Sequence, residues 1–349
     1  MSPRSALDVV SDAFAHTKQQ VWPFEWAQWW RLALLGFVTT EVSNLGCNNV
    51  GSFLPTPPSP AYPPSPAAWP TPPWGASLVL VLLGAVLLVL ALVVLSTLFL
   101  YVNSICRFVL IETVATRRCG GLRNGWRKWR AVGRRYFLFQ IAFQAVALVS
   151  FFVVIGVPLA VAASTGVFSR VNDHVGLTIL GGLVMLGGVL ALVAVMLTTH
   201  VIAKDFVAPI LAIEQDGVLA AWGRVWRLIR QDKWGVAGYL LVKFVMSIGA
   251  AIAVSAVLVI LLGPMMLAGA MASRGGDVVW TPAAVVAIMV AGAGGLAWLT
   301  ACLALANAPF AVFFPAYGMY FLASRYPPLH AWLHPAPRYS LDTPAGTDT

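Results

Sequence analysis

Five ionisable side chains of this 349-residue chain fall inside, or at the ends of, long apolar segments. They are Glu41, His200, Lys204, Asp205 and Lys243. A charge at the centre of a lipid bilayer costs about 2.5–3.5 kcal/mol, so an ionisable group in such a place is a candidate for binding an ion or relaying a proton. Each of the five also has a structural explanation, which follows from the segment around it.

Lys243 is the most isolated of these groups, about nine residues into an apolar segment and roughly 13 Å deep at 1.5 Å per residue. Its amine either reaches the membrane surface on its flexible stem or meets a carboxylate or carbonyl group inside the protein. His200 and Lys204 share a helix face at i,i+4, and Asp205 is expected to pair with a basic loop residue. These three mark either interfacial polarity or a proton or anion site. Glu41 is expected near the outer end of the first segment, in contact with water.

The composition indicates what kind of elements carry these residues. Hydrophobic residues make up 59% of the chain, charged residues 10%, and the mean hydropathy is +0.82. Soluble domains carry about 25% charged residues, so the chain is expected to be an integral membrane protein. A helical span needs about 20 apolar residues. Five segments meet this length, at 76–101, 136–163, 175–202, 235–262 and 283–305. A sixth, at 26–46, is interrupted by Glu41 and either spans the bilayer or forms a re-entrant or surface helix.

Lysine and arginine residues cluster between alternate apolar segments, which is the pattern of a multi-pass protein with its basic loops in the cytoplasm. The two most basic segments are 117–135 and 204–233. Six spans would then place both termini in the cytoplasm, in a bacterial inner membrane. This arrangement accounts for the net charge of +9 without nucleic acid as a partner.

The predicted organisation has three regions: a cytoplasmic leader at 1–21, a membrane domain at 22–325, and a cytoplasmic tail at 326–349. The prolines of the tail predict disorder. Within the membrane domain, the segment 47–75 contains ten prolines between Pro55 and Pro73. We expect it to form an extended external loop. This loop is either a spacer or a docking site for a protein partner outside the membrane.

Short motifs recur along the membrane domain. Trp-x-x-x-Trp-Arg-Leu occurs at 26–32 and 222–228, and a variant one residue shorter begins at Trp126. The dipeptides Phe108-Val109, Phe206-Val207 and Phe310-Ala311 follow alternate spans. The predicted fold is therefore all-α, a polytopic transmembrane helix bundle whose six spans are three repeated helical hairpins with interfacial amphipathic helices. The repeat units cover about 22–110, 118–208 and 214–325.

The amphipathic helices are expected to lie on the cytoplasmic leaflet, with tryptophan at the headgroup level and arginine against anionic phospholipid headgroups. The candidate lipid-contacting residues are Arg123, Trp126, Arg127, Trp129, Arg130, Arg134, Trp222, Trp226 and Arg227. Four of the arginines, between 123 and 134, form one stripe at i, i+4, i+7 and i+11. The stripe is either a plain membrane anchor or a platform for lipid or a partner.

The motifs of most enzyme and cofactor sites are missing from the sequence. His330 and His334 have the i,i+4 spacing of a metalloprotease pair, but they lack its glutamate. The four cysteines are scattered, which predicts neither a zinc site nor a disulfide framework. There is no phosphate-binding loop, no Gly-x-Ser-x-Gly and no dinucleotide fingerprint on a strand–helix unit. We therefore expect no metal, no cofactor and no enzymatic activity.

Several short hydrophobic motifs carry a resemblance to known proteins. They are the sequence Trp-Pro-Phe-Glu-Trp-Ala-Gln-Trp-Trp-Arg-Leu at 22–32, Phe206-Val-Ala-Pro-Ile, Gly217-Val-Leu-Ala-Ala-Trp222 and Asn307-Ala-Pro309. With these motifs the chain resembles bacterial six-span membrane proteins of uncharacterised function, relatives of the membrane domain attached to some glycerophosphodiester phosphodiesterases. The chain lacks the phosphodiesterase barrel, so the resemblance implies no catalytic residue.

Two functions remain open. The first is a non-enzymatic scaffold or lipid-interacting assembly factor in the membrane. The second is a transporter or channel for a small solute or anion, which the charges of Lys243 and Glu41 favour. A continuous cavity that reaches Lys243 would favour transport, and a well-packed bundle without one would favour the scaffold.

Overall fold

The computed structural model describes residues 4–22, 24–39, 74–117, 120–164, 175–273 and 282–334, and every regular element within them is a helix. The long helices are α3 (Trp74–Thr116), α4 (Leu122–Ser164), α5 (Val175–Ile202), α8 (Lys233–Ser273) and α9 (Pro282–Ala323). The short helices are α1 (Asp8–Val21), α2 (Trp26–Thr39), α6 (Ala208–Glu214), α7 (Val218–Gln231) and α10 (Pro327–Leu333). A π-helical turn, Ala203–Val207, joins α5 to α6. The prediction of an all-helical protein is confirmed for these residues.

Five helices are long and apolar enough to cross a membrane, and they coincide with the five long segments predicted from the sequence. They are α3, α4, α5 continued through the π-helical turn and α6, α8, and α9. A soluble protein would not expose so much apolar surface, so these helices indicate a multi-pass membrane protein.

The long helices have one exposed apolar half, here called the open end, which comprises residues 79–99 of α3, 144–161 of α4, 179–197 of α5, 255–261 of α8 and 289–298 of α9. In α3, α4 and α5, no residue of the most apolar stretch is buried within the protein. Leu88, Val149 and Leu183 are examples of side chains that are mostly exposed. Such side chains need lipid or another apolar surface around them.

The opposite halves converge on the short helices and form what we call the packed end. It comprises residues 101–116 of α3, 122–140 of α4, 203–214, 233–243 of α8 and 302–323 of α9, together with α1, α2, α7 and α10. Its largest buried side chains include Phe108, Tyr136, Tyr239, Tyr317 and Phe321. Burial of each such ring contributes about 1.5–3 kcal/mol, so this core holds the surrounding polar groups in fixed positions.

Polar residues and glycine set the helix boundaries at the packed end. Gln215 ends α6 in a left-handed backbone conformation with φ of 53°, and Gly217 precedes α7 in an extended conformation. Asp232 separates α7 from α8. Its carboxylate accepts a 2.9 Å hydrogen bond from the backbone N–H of Gly235, as a helix N-cap does.

Several helix contacts connect the packed end, and three of them join successive parts of the chain or its two ends. The start of α4 packs against the end of α3, α7 packs against the π-helical turn and α6, and α2 packs against α9. Two of these contacts depend on glycine. A Cβ atom on Gly36 of α2 would lie 2.4 Å from the Cβ of Ala311 in α9. A Cβ atom on Gly125 of α4 would lie 3.1 Å from Val109 in α3.

The structure describes only the first part of the sixth segment, in which helix α2 covers Trp26–Thr39. Its apolar face is used within the protein, because Leu32, Ala33 and Leu35 are buried. Residues 40–46, including Glu41, lie outside the described residues.

Two further expectations need correction. The tail from residue 326 was expected to be largely disordered, but its first part, Pro327–Leu333, forms α10, whose Leu329 and Leu333 are buried one helical turn apart; residues 335–349 lie outside the described residues. Proline suits the first turn of a helix, so Pro327 and Pro328 favour this start. The amphipathic segment from Leu122 was expected to be a separate helix, but it is the first part of α4, which continues without a break to Ser164.

Candidate functional site

A buried ion pair joins the third and fourth candidate spans. Lys243 of α8 forms an ion pair with the Oδ2 atom of Asp205 in the π-helical turn. The hydroxyl of Tyr239 donates a 2.8 Å hydrogen bond to the same carboxylate oxygen. The side chains of Lys243 and Asp205 are only 12% and 3% exposed, so both charges are largely removed from solvent. A buried charge requires such a partner, because desolvation alone costs several kcal/mol.

The π-helical turn brings Asp205 to α8. A π-helical turn interrupts the regular i→i+4 pattern of a helix and occurs frequently at functional sites. Here all five residues of the turn are buried, including Lys204 and Asp205. On α8, Tyr239 and Lys243 are one helical turn apart and share a face.

A glycine of α9 permits this close approach. A Cβ atom on Gly318 would lie 3.1 Å from the hydroxyl of Tyr239 and 3.3 Å from the Cβ of Asp205. Helix α9 therefore covers the ion pair closely, and a larger residue at this position would press on it.

Aromatic rings surround the pair. Tyr239 stacks on Tyr317 with 4.9 Å between ring centroids, and it lies 4.6 Å from the ring of Phe321 and 5.1 Å from that of Phe206. The Nζ atom of Lys243 lies 5.8 Å from the ring centroid of Phe314. Rings exclude water and lower the local dielectric constant, which strengthens the attraction between the two charges.

Two more cations lie near the pair. Arg107 of α3 and Lys204 are both buried, and together with Asp205 they line a cavity of about 10 Å³. Arg107 also donates a 3.2 Å hydrogen bond to the carbonyl oxygen of Thr39 at the end of α2. A cavity of this size holds about one water molecule. Within the described ranges, it is too small to admit a solute to the ion pair.

These contacts decide between the alternatives for the intramembrane candidates. Lys243 meets a carboxylate inside the protein, so its amine does not extend to the membrane surface. The expectation that Asp205 pairs with a basic loop residue is wrong, because its partner is on α8. Lys204 is buried and His200 is half-buried, one helical turn before it. Glu41 lies outside the described residues.

The predicted lipid-contacting arginines lie on exposed surface. Arg123, Arg127, Arg130 and Arg134 are exposed on α4, and Arg227 is exposed on α7. This exposure leaves the guanidinium groups accessible to headgroups, and their binding to lipid stays a prediction.

The tryptophans differ from one another in burial. Trp226 is 52% exposed and Arg230 lies 5.3 Å from its ring, whereas Trp126 and Trp222 are half-buried. Trp129 is buried, so its predicted place at the lipid interface is wrong. Its ring stacks on Phe108 at 5.8 Å between centroids.

Glu112 explains the position of Trp129. The Nε1–H group of Trp129 donates a 2.5 Å hydrogen bond to Glu112, which also forms an ion pair with Lys128. The basic amphipathic segment is therefore fixed to α3 by a carboxylate as well as by apolar packing.

Three residues of this region were not among the sequence candidates: Arg107, Glu112 and Tyr239. Each had a signal in the sequence. Arg107 is a lone charge in an apolar run, Glu112 follows it by five residues, and Tyr239 precedes Lys243 by one helical turn. None of these signals identifies the partner, which is on another helix.

The described residues hold no cluster of three or more histidine, cysteine, aspartate or glutamate side chains arranged for a metal ion. His330 and His334 have their ring centroids 4.9 Å apart, and Cys106 and Cys302 are buried free thiols.

Comparison with known proteins places the chain in a family. No curated protein and no solved structure matches it. Residues 4–331 match a family described as a family of unknown function, DUF7544. This match begins before α1 and ends within α10, and it includes the ion pair. The chain therefore belongs to the DUF7544 family.

Proposed function

We propose that the protein is a non-enzymatic membrane scaffold, whose open end binds the spans of other membrane proteins and whose packed end keeps its own helices together. The observation that carries this proposal is the exposure of the open end. The most apolar stretches of α8 and α9 are only 11% buried, and those of α3, α4 and α5 are not buried at all. Helices that pack against one another in a membrane bury such surface. The open end is not buried in this way, so its helices are available to other proteins.

Small residues on the open end support the proposal. Gly181, Gly182 and Gly187 of α5 and Gly292 and Gly294 of α9 have nothing within 4 Å of the position where a Cβ atom would be. Small residues let the backbones of two membrane helices approach closely, and no other helix that the structure describes lies against these glycines.

Photo-crosslinking in cells tests the scaffold directly. A photoreactive phenylalanine analogue placed at Val86 of α3 or Leu183 of α5 should give adducts of discrete mass with other membrane proteins. The same analogue at Tyr239, which is buried, serves as the control and should give none. Adducts with lipid alone at both exposed positions would contradict a scaffold function.

The packed end is proposed to face the cytoplasm of a bacterial inner membrane, with both termini on that side and six spans in total. The exposed arginines of α4 support this orientation by the positive-inside rule. In a variant without native cysteines, a cysteine at position 127 should resist an impermeant thiol reagent in intact cells, and one at position 64 should react. The reverse pattern would contradict the orientation.

A three-repeat organisation is supported by the contacts of the packed end. The helix that begins each proposed unit packs against the helix that ends the preceding one: α4 against α3, and α7 against the π-helical turn and α6. Helix α2, which begins the first unit, packs against α9, which ends the last. We propose that three parallel repeats close into a ring through this last contact.

We also propose that the chain is distantly related to the membrane domain attached to some glycerophosphodiester phosphodiesterases, which it resembles in its short hydrophobic motifs.

Transport of a small anion is the second candidate function. The Lys243–Asp205 pair favours it, because ionisable groups within a membrane protein mark ion pathways and proton relays. Purified protein in liposomes should then show anion flux that Lys243→Met abolishes. Equal flux in liposomes with and without protein would exclude this function.

A further inference from the structure

A second polar region lies at the packed end, apart from the buried ion pair. It is a cavity of about 510 Å³ between α1, Arg117 directly after α3, the end of α9, and α10. Small-molecule sites typically have volumes of about 300–1,000 Å³. The elements that form it come from both ends of the chain and from its middle, so the cavity exists only in the folded protein.

Cationic and imidazole groups dominate its lining. Arg4, Arg117, His16, His330 and His334 all line the cavity. Among the described residues of its wall the one acidic group, Asp12, is already paired with Arg4 at 2.6 Å. The charge that remains uncompensated is therefore positive.

Arg117 is the cation that is free to act on a ligand. Its guanidinium donates a 2.8 Å hydrogen bond to the neutral side chain of Gln19, and no carboxylate of the described residues pairs with it. Its backbone adopts a left-handed conformation with φ of 55° immediately after α3. A residue other than glycine costs free energy in this conformation, and such outliers cluster at ligand sites.

Desolvation and the positive charge of the cavity lower the pKa of two of its histidines, His16 and His334. His16 is buried, its Nδ1 atom lies 3.1 Å from the hydroxyl of Tyr320, and its Nε2 atom has no hydrogen-bond partner. Burial lowers the pKa of His16 to about 4, and the charge of Arg117 adds to the effect. Partial desolvation also lowers the pKa of His334, the charges of His330, Arg117 and Arg4 lower it further, and the charge of Asp12 raises it. An anion in the cavity would relieve this repulsion.

We propose that this cavity binds a phosphate-bearing anion, held by the guanidinium of Arg117 and the imidazole of His334. A guanidinium group presents paired N–H donors that match two phosphate oxygens. The cavity is larger than a phosphate ion, so it has room for the organic part of a phosphorylated small molecule or for a lipid headgroup. This inference rests on the cavity alone and does not depend on the scaffold function.

Titration with inorganic phosphate tests the proposal on the full chain, purified in a neutral detergent. Phosphate should bind measurably by calorimetry and raise the thermal midpoint, while chloride at equal ionic strength should do neither. Arg117→Gln should weaken phosphate binding roughly tenfold, since a hydrogen bond to a charged group is worth at least that factor. His334→Gln, at an exposed position that tolerates substitution, should weaken binding as well.

Arg230→Gln is the matched control, because it removes one exposed arginine from α7, away from the cavity. It should leave phosphate binding unchanged. Absence of phosphate binding by the natural protein, or equal binding by the natural protein, Arg117→Gln and His334→Gln, would overturn the proposal.

The source of the phosphate is determined in nanodiscs. If the ligand is a lipid headgroup, phosphatidylglycerol nanodiscs should suppress the binding of inorganic phosphate relative to phosphatidylcholine nanodiscs at equal salt. If the ligand is a soluble phosphorylated compound, phosphate should bind equally in the two. Either result supports the cavity as a phosphate site and assigns its ligand.

Discussion

Lys243 of α8 and Asp205 of the π-helical turn neutralise each other within the packed end, and the hydroxyl of Tyr239 donates a hydrogen bond to the carboxylate of Asp205. The pair explains how a lysine is retained in the middle of an apolar helix. The ion pair also links α8 to the π-helical turn between α5 and α6. Helices α5 and α8 have few contacts with each other at the open end.

Removing one charge of this pair should be far more costly than removing both. Lys243→Met removes the ion-pair partner of a buried carboxylate, and we expect a loss of about 3–5 kcal/mol of stability. The double variant Lys243→Met, Asp205→Asn should recover most of this loss, because neither charge then remains. Thermal unfolding in detergent measures the stability of the single and the double variant. Additive effects of the two substitutions on stability would contradict the pairing.

Gly36 should be intolerant of a methyl group. Its Cβ atom would lie 2.4 Å from the Cβ of Ala311, and both atoms are attached to helix backbones that cannot move independently. Overpacking of this kind costs about 1–3 kcal/mol, so Gly36→Ala should lower the thermal midpoint.

Gly84→Ala is the control for this substitution, since nothing lies within 4 Å of its Cβ position on the open end of α3. It should leave stability unchanged or raise it slightly, as replacing glycine by alanine in a helix does. Equal loss from the two substitutions would mean that α2 does not pack on α9 at Gly36.

Acid should destabilise the packed end through His16. Its pKa is about 4 in the folded protein and 6.5 ordinarily, so the unfolded chain binds more protons between these pH values. Stability is therefore complete above pH 6.5 and falls as the pH decreases toward 4, by up to about 1.4 kcal/mol per pH unit for one proton. His16→Gln should flatten the dependence of the thermal midpoint on pH in this window. An unchanged slope in that variant would show that other groups control it.

Trp129→Phe should destabilise the protein although it keeps the aromatic ring. The substitution removes the 2.5 Å hydrogen bond to Glu112, and hydrogen bonds to charged groups contribute about 1.5–3 kcal/mol. Trp226→Phe, on the exposed face of α7, should change stability by less than about 0.5 kcal/mol. If the exposed substitution cost as much as the buried one, the assignment of Trp129 to the core would be wrong.

The sequence was sufficient to predict the five long spans, because runs of apolar residues longer than 20 need no knowledge of their neighbours. It was less informative for α2. The apolar residues Leu32 and Leu35 are equally consistent with a membrane span and with a face that packs on α9. Only the position of the partner helix distinguishes these two interpretations. Likewise, Trp129 lies among arginines, which is typical of the lipid interface, but its position depends on Glu112 of another helix.

The candidate site shows the same limit. Lys243 and Asp205 could each be recognised as unusual, yet they lie 38 positions apart in the chain, and Asp205 belongs to the π-helical turn that brings them together. Hydrophobic periodicity does not reveal such a turn, since a single inserted residue changes the register only locally. The phosphate cavity was harder still, because Arg4, Arg117 and His334 come from three distant segments and each resembles an ordinary surface residue.

The scaffold function depends on whether other proteins cover the open end in the membrane. Native mass spectrometry of the full chain, extracted together with its surrounding membrane in polymer nanodiscs, measures this directly. We predict a complex of defined mass in which the chain is accompanied by a second protein species in fixed stoichiometry. A chain accompanied only by lipid, at all expression levels, would contradict the scaffold function.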